Sequence, residues 1–168
     1  IVLIGEQLWM AENLKTTHYR NGDEIPNVDN NYEWTVIENG AYCDYQNNPL
    51  NSEEYGRLYN WFVVGDEREV CPIGWHVPTS DEIEELTDYL GSSAGSKLKE
   101  EGTSHWNSPN YATNSSGFTA LPSGWRSNNN GLDIQRGDGN YLWSSSSSFS
   151  YAGHLYLIYN YTEAMYSN

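Results

Sequence analysis

The stretch Pro78-Thr79-Ser80-Asp81-Glu82-Ile83-Glu84-Glu85-Leu86-Thr87-Asp88-Tyr89-Leu90-Gly91 carries both of its own ends. Thr79 stands where a helix N-cap belongs, and Glu82 follows three residues later. Hydroxyl and carboxylate can then each satisfy a backbone N–H of the first turn. Asp81 and Glu82 add negative charge where the helix dipole favours it. Ile83, Leu86 and Leu90 fall on one face, and Gly91 offers the natural stop. The spacing predicts a helix over 80–90 with one buried stripe. Its carboxylates read as a solvated helix face and not as a metal site.

On the N-terminal side, residues 55–64 place Leu58, Trp61 and Phe62 at i, i+3 and i+4, which favours a short buried helix. Residues 18–55 are dense in Asn, Asp, Gly and Pro and read as loops, with Ala41–Tyr45 as a candidate strand. Residues 1–10 read as a short strand followed by a buried anchor, Trp9-Met10. On the C-terminal side a short turn is expected near 97–101 and a polar loop over 102–117. Strand candidates follow at 117–121, 124–126, 141–144 and 154–159. No internal repeat is visible. One α+β domain is the economical reading.

The chain has 168 residues, with 8 Lys+Arg against 23 Asp+Glu and a formal net charge of −15. That balance argues against a surface that neutralises nucleic-acid phosphates or anionic lipid. No window approaches 18 consecutive apolar residues, so no membrane insertion of this segment is expected. Charged residues make up 18% and aromatics 14%, so polarity comes from Asn, Ser, Gly and Tyr. Such a surface suits an extracellular or cell-surface setting. The sequence opens without an initiator Met or a signal peptide, as a mature secreted chain or a fragment would. Cys43 and Cys71 lack a CxxC partner and metal-ligand spacing, so neither a redox nor a zinc role is read.

Six segments then occur in a telling order: Gln7-Leu8-Trp9-Met10-Ala11-Glu12-Asn13-Leu14, Tyr55-Gly56-Arg57-Leu58-Tyr59-Asn60-Trp61, Cys71-Pro72-Ile73-Gly74-Trp75-His76-Val77-Pro78-Thr79, Lys97-Leu98-Lys99, Gly117-Phe118-Thr119-Ala120-Leu121-Pro122-Ser123-Gly124-Trp125-Arg126, and Tyr141-Leu142-Trp143-Ser144-Ser145-Ser146. Together they resemble the Fibrobacter succinogenes major paralogous domain family of bacterial cell-surface and secreted modules. The resemblance runs through essentially the whole chain, 1–168, as a single domain. It implies a C-type-lectin-like fold related to the formylglycine-generating-enzyme group. Two helices, a small twisted, mostly antiparallel sheet and long irregular loops are expected. Members of the family usually carry Trp where this chain has Ile83. They also run on to a last strand of the type GFSVRCV, so the domain is expected to be incomplete at both ends. The resemblance pairs Cys71 with a cysteine on that strand, hence Cys43 and Cys71 are expected not to pair with each other. By position in the family motifs, Trp9, Trp61, Trp75, Trp125 and Trp143 are expected in the core.

No nucleophile elbow, HExxH, P-loop or GxGxxG motif occurs. The late catalytic cysteines of formylglycine-generating enzymes are missing from 118–168. His76, in the helix-entry motif, is expected to make a structural hydrogen bond. The EPN, QPD and WND signatures of calcium-dependent sugar binding are absent. A structural Ca2+ in the loop Asn128–Asp138 is the one cofactor the residue types allow, its amides and carboxylates suiting a hard cation. No enzyme activity and no catalytic residue is therefore expected.

What stands out is the final third, where aromatics alternate with small hydrogen-bonding residues as in a paratope. Asn128, Asn129, Asn130, Tyr141, Tyr151, His154, Tyr156, Tyr159 and Tyr161 are the candidate ligand- or partner-binding residues. The expected function is a non-catalytic extracellular recognition module that binds glycan or protein through the 125–161 face. The alternative is a structural subunit of a bacterial surface assembly or filament, with copies of itself or another surface protein on the same loops.

Overall fold

A computed structural model describes residues 1–148 and 151–167. Strands β1 (Val2–Ile4) and β2 (Gln7–Trp9) form an opening antiparallel hairpin. Helix α1 (Asn31–Val36) follows, then β3 (Tyr42–Cys43), α2 (Pro49–Tyr55), β4 (Leu58–Tyr59) and α3 (Trp61–Val64). After them come α4 (Ser80–Leu90), α5 (Ala94–Leu98), β5 (Trp125–Arg126) and β6 (Asp133–Ile134). The long hairpin β7 (Gly139–Ser148) and β8 (Tyr151–Ile158) precedes β9 (Met165–Ser167). The sheets are small and antiparallel: β1-β2, β3-β4, β5-β6 and β7-β8-β9.

Helix α4 matches its sequence signature. Thr79 accepts from the Glu82 N–H, the Glu82 carboxylate accepts from the Thr79 N–H, and Gly91 stops the helix at φ +75°. Thr79→Ala is expected to lower stability by about 1 kcal/mol in a urea titration. A loss indistinguishable from zero would mean the box does not hold this helix. Ile83, Leu86 and Leu90 are buried in the main core with Ile4, Leu98, Trp106, Phe118, Leu155 and Leu157. The serine run of β7 docks onto the same helix start. A bulge between Trp143 and Ser147 lets Ser145 N–H donate to Pro78 and Ser146 Oγ accept from Ser80 N–H.

A second core gathers Tyr19, Ile25, Tyr42, Val63, Val70 and Cys71, and a third Val28, Trp34, Ala41 and Cys43. The two cysteines are buried, free and in different clusters. Helix α5 lies so close to the segment before β9 that a Cβ on Gly95 would sit 2.1 Å from the Glu163 carbonyl oxygen. Only glycine fits there.

Several expectations need correction. The described residues form five α-helices where the resemblance implied two. Two of them, α1 and α2, lie in the stretch read as loop. Asn30 and Asn48, taken as turn residues, are their N-caps, accepting from backbone N–H groups of the first turn. The same short side-chain oxygen serves both purposes, which is why composition alone did not separate them. Residues 58–59 pair as a strand, so the helix expected over 55–64 begins only at Trp61. The strand expected over 117–121 is reduced to a bridge between Lys99 and Ala120, with Thr119 at φ +60°. Strand β9, pairing with β8, was not foreseen at all.

Candidate functional site

Alternation along β7 and β8 sorts their side chains onto two faces. Leu155 and Leu157 point into the main core with Leu142 packed against them. On the opposite face the register sets Tyr141 against Tyr156 and Trp143 against His154. Tyr141 and Tyr156 stack at 6.0 Å with 10° between their planes. His154 lies 5.7 Å from Tyr156, 6.4 Å from Tyr141 and 6.1 Å from Trp143. The row is extended at one end by Trp61 of α3, 5.7 Å from Trp143, and at the other by Trp125 of β5, 6.1 Å from Tyr141. Six rings therefore run unbroken across the sheet, all of them half-buried.

Their polar atoms are fixed from the edges. Trp143 donates its indole N–H to the Tyr59 carbonyl at 2.8 Å. At the other end Gln135 Oε1 accepts from both Trp125 Nε1, at 3.2 Å, and the Tyr141 hydroxyl. Burial raises the Tyr141 phenol above its ordinary pKa, with Tyr156 and Asp138 adding to the effect, so it stays a neutral donor. Five of these rings line a groove of about 1570 Å³ that continues past Trp75 and Met10.

The sequence-derived binding residues divide accordingly. Tyr141, His154 and Tyr156 come together on the row. Asn128, Asn129 and Asn130 sit exposed on the turn between β5 and β6, with Asn128 on the rim of the groove. Tyr159 does not join them, because it packs against the main core, and Tyr161 is 49% exposed in the turn that follows β8. The side chain of Tyr151 lies outside the described residues.

The tryptophans assigned to the core also move. Trp9, Trp61, Trp75, Trp125 and Trp143 are all half-buried. Trp9 and Trp75 pack against core clusters, whereas Trp61, Trp125 and Trp143 belong to the row. The fully enclosed tryptophans are Trp34 and Trp106, at 6% and 1% exposure, both in stretches read as loop. Gln135 was missed. Its one signal, a polar residue between a strand and Arg136-Gly137-Asp138-Gly139, marks only a turn.

The other polar clusters are tied into structure. His76 makes the hydrogen bond expected of it, to Glu82 at 2.8 Å. His105 lies between Glu100, on Nδ1, and Glu54, on Nε2, each at 2.8 Å. The carboxylates occupy opposite sides of the ring and cannot share a metal ion. Among the described residues no group of three or more His, Cys, Asp and Glu could hold one. In the Asn128–Asp138 loop Asp133 accepts from the Gln46 N–H and Asp138 from Asn107, so its two carboxylates face different partners. Burial pushes the Cys43 thiol up to about 12 and raises that of Cys71, which keeps both in the unreactive thiol form.

Burial pushes the His105 imidazolium down, but hydrogen bonds to Glu100 and Glu54 outweigh it and hold its pKa above the ordinary value. A raised folded pKa means that the contribution to stability is fully present below about pH 6.5 and is lost as pH rises through the folded value. The urea midpoint of the wild type should therefore fall more between pH 5.5 and 8.5 than that of His105→Gln. Equal falls would remove His105 from the account.

All eight cations are engaged inside the chain. Arg57 meets Asp44 and the Lys15 carbonyl, and Lys97 donates to the Leu90 carbonyl. Arg20 donates to the Cys71 and Trp75 carbonyls, Arg68 to Asp66 and Asp23, Lys15 to Glu12 and Arg136 to Asn51. Arg126 and Lys99 are buried on backbone carbonyls. The surface thus carries carboxylates and neutral groups with little opposing free charge.

The chain belongs to the Fibrobacter succinogenes major domain family, whose model matches residues 2–167. Comparisons with curated proteins and with solved structures returned no match. No helix among the described residues is long and apolar enough to cross a membrane.

Proposed function

We propose that this domain is a non-catalytic recognition module of the bacterial cell surface or its exterior, and that it binds glycan across the aromatic face of β7 and β8. The observation that carries the reading is the unbroken row of six rings from Trp61 to Trp125 on the sheet face turned from the core. Aromatic side chains supply large contact area and a polar tip, which suits the mixed C–H and O–H surface of a sugar. Stacking is not screened as ion pairs are, an advantage outside the cell. Both cysteines are buried, and His76 and His105 are held on carboxylates, which favours binding over catalysis. The long loops over small antiparallel sheets support a C-type-lectin-like architecture.

The test is a glycan array probed with the wild type, Tyr156→Ala and Tyr141→Ala, alongside thermal melts and a solution mass. The wild type is expected to bind as a monomer, and each variant to lose about tenfold in affinity, a binding loss on the order of 1.4 kcal/mol. Binding unaffected by either variant would contradict the reading. A self-assembled species whose formation needs the same residues would replace it with the surface-assembly alternative.

A further inference from the structure

Gln135 is the place where the row becomes specific. It has a left-handed backbone, φ +64°, at the start of the turn into β7. A side chain in that region is held by its surroundings, and such positions gather at functional sites. Here the turn is pinned from several directions. The Gln135 carbonyl accepts from the Asp138 and Gly139 N–H groups, and Gly137 exchanges backbone bonds with Pro122 and Asn107. Arg136 lies over the rings of Tyr45 and Tyr55.

The orientation of its amide follows from chemistry. An indole N–H only donates, so the atom that Trp125 meets must be Oε1, and the Tyr141 hydroxyl binds that same oxygen. Both rings at this end of the row are thereby fixed by one acceptor. The Nε2 amide is left with two donors and no acceptor among the described residues, on an exposed residue lining the groove. It is a pre-oriented donor beside two aromatic rings, the combination that takes a hydroxyl or ring oxygen while the sugar rests on the rings.

Charge narrows the ligand further. The chain carries −15, its eight cations are committed internally, and Glu6, Glu12, Glu38 and Glu82 line the same groove. Among the described residues the arginines lining the groove, Arg57 and Arg126, are committed to Asp44 and to backbone carbonyls and are not free to pair with a uronate or sulfate, while the carboxylates would repel it. We infer that Gln135 is a specificity-determining residue that donates from Nε2 to an oxygen of an uncharged glycan seated on Trp125 and Tyr141, and that anionic polysaccharides are excluded. This rests on the glycan-binding reading above.

Gln135→Glu separates the roles. The carboxylate still accepts from Trp125 and Tyr141, so the rings stay in place, but the donor is lost and a negative charge replaces it. The experiment uses immobilised neutral polysaccharides and acidic ones, polygalacturonate and a sulfated glycan among them. They are probed with the wild type, Gln135→Glu and Tyr141→Ala, with tryptophan emission and melting recorded for each. The expected result is wild-type binding confined to neutral glycans and weakened about tenfold or more in Gln135→Glu, at unchanged emission and melting temperature.

Two results would overturn the inference and leave the reading intact. One is acidic glycans bound as tightly as neutral ones in a manner that needs Tyr141. The other is Gln135→Glu binding like the wild type. Should Gln135→Glu alter emission or fail to fold, Gln135→Asn decides, since it tolerates left-handed backbone and retains a donor. Asn is then expected to keep the preference for neutral glycans at reduced affinity, and loss of that preference would overturn the inference. Absence of binding to every polysaccharide would overturn reading and inference together.

Discussion

Replacing Arg126 with Met is expected to lower the unfolding free energy by about 3–5 kcal/mol, the cost of removing one member of a buried charged network. The guanidinium is nearly inaccessible and ties together segments far apart in the chain. Nε donates to the Gly131 carbonyl at 2.9 Å, and Nη2 donates to the Asp29 carbonyl and to Asn31 Oδ1, both at 2.9 Å. Nη1 reaches the Val28 carbonyl and Asn47 Oδ1 at 3.3 and 3.2 Å, and the ring of Trp34 lies 5.0 Å from the charge. Methionine fills much of the volume but leaves these acceptors without their donor, and the Asp133 carboxylate, 3.9 Å away, without its neighbouring positive charge. Lysine restores the charge without the fork and should recover only part of the loss. Urea unfolding of the three proteins checks this. A loss below about 1 kcal/mol in the Met variant would mean that water replaces the guanidinium freely.

Lys99→Met should be of similar size, about 3–5 kcal/mol, because it removes the three hydrogen bonds of a buried ammonium at once. The Lys99 side chain is fully buried, and Nζ donates to the carbonyls of Ile158, Tyr159 and Tyr161 at 2.7, 2.9 and 2.8 Å. Three ammonium donors meet three acceptors, 5.3 Å from the ring of Trp106. Burial pushes the ammonium down to about 8, so at neutral pH the charged form that fills all three bonds still dominates. The variant should lower the urea midpoint and increase hydrogen exchange at the turn after β8. Unchanged exchange there would show that the carbonyls find other donors.

These two cations explain much of what sequence made legible and what it hid. Lys97-Leu98-Lys99 and Gly124-Trp125-Arg126 stand out as motifs, and the natural expectation was that their tryptophan was the buried member. The opposite holds: Arg126 and Lys99 are interior, while Trp125 faces the groove. Hydrophobic bookkeeping assigns indoles to the core and cations to solvent, and a charge satisfied by carbonyls defeats it. Helix α4 was legible to the residue because its cap, stripe and stop are all local. Helices α1 and α2 were not, because an asparagine N-cap and an asparagine turn have the same composition. The aromatic row was half visible. Alternation places Tyr141 with Trp143 and His154 with Tyr156, but the register that brings the pairs together, and the arrival of Trp61 and Gln135, are long-range facts.

The aromatic row is proposed as a binding surface. The most direct measurement follows the indole N–H resonances of Trp61, Trp125, Trp143, Trp34 and Trp106 while the tightest-binding glycan from the array is titrated in. Saturable shifts are expected at Trp125 and Trp143, with Trp106, enclosed in the main core and away from the groove, unmoved. Shifts confined to tryptophans outside the row, or no glycan that moves any of them, would contradict it.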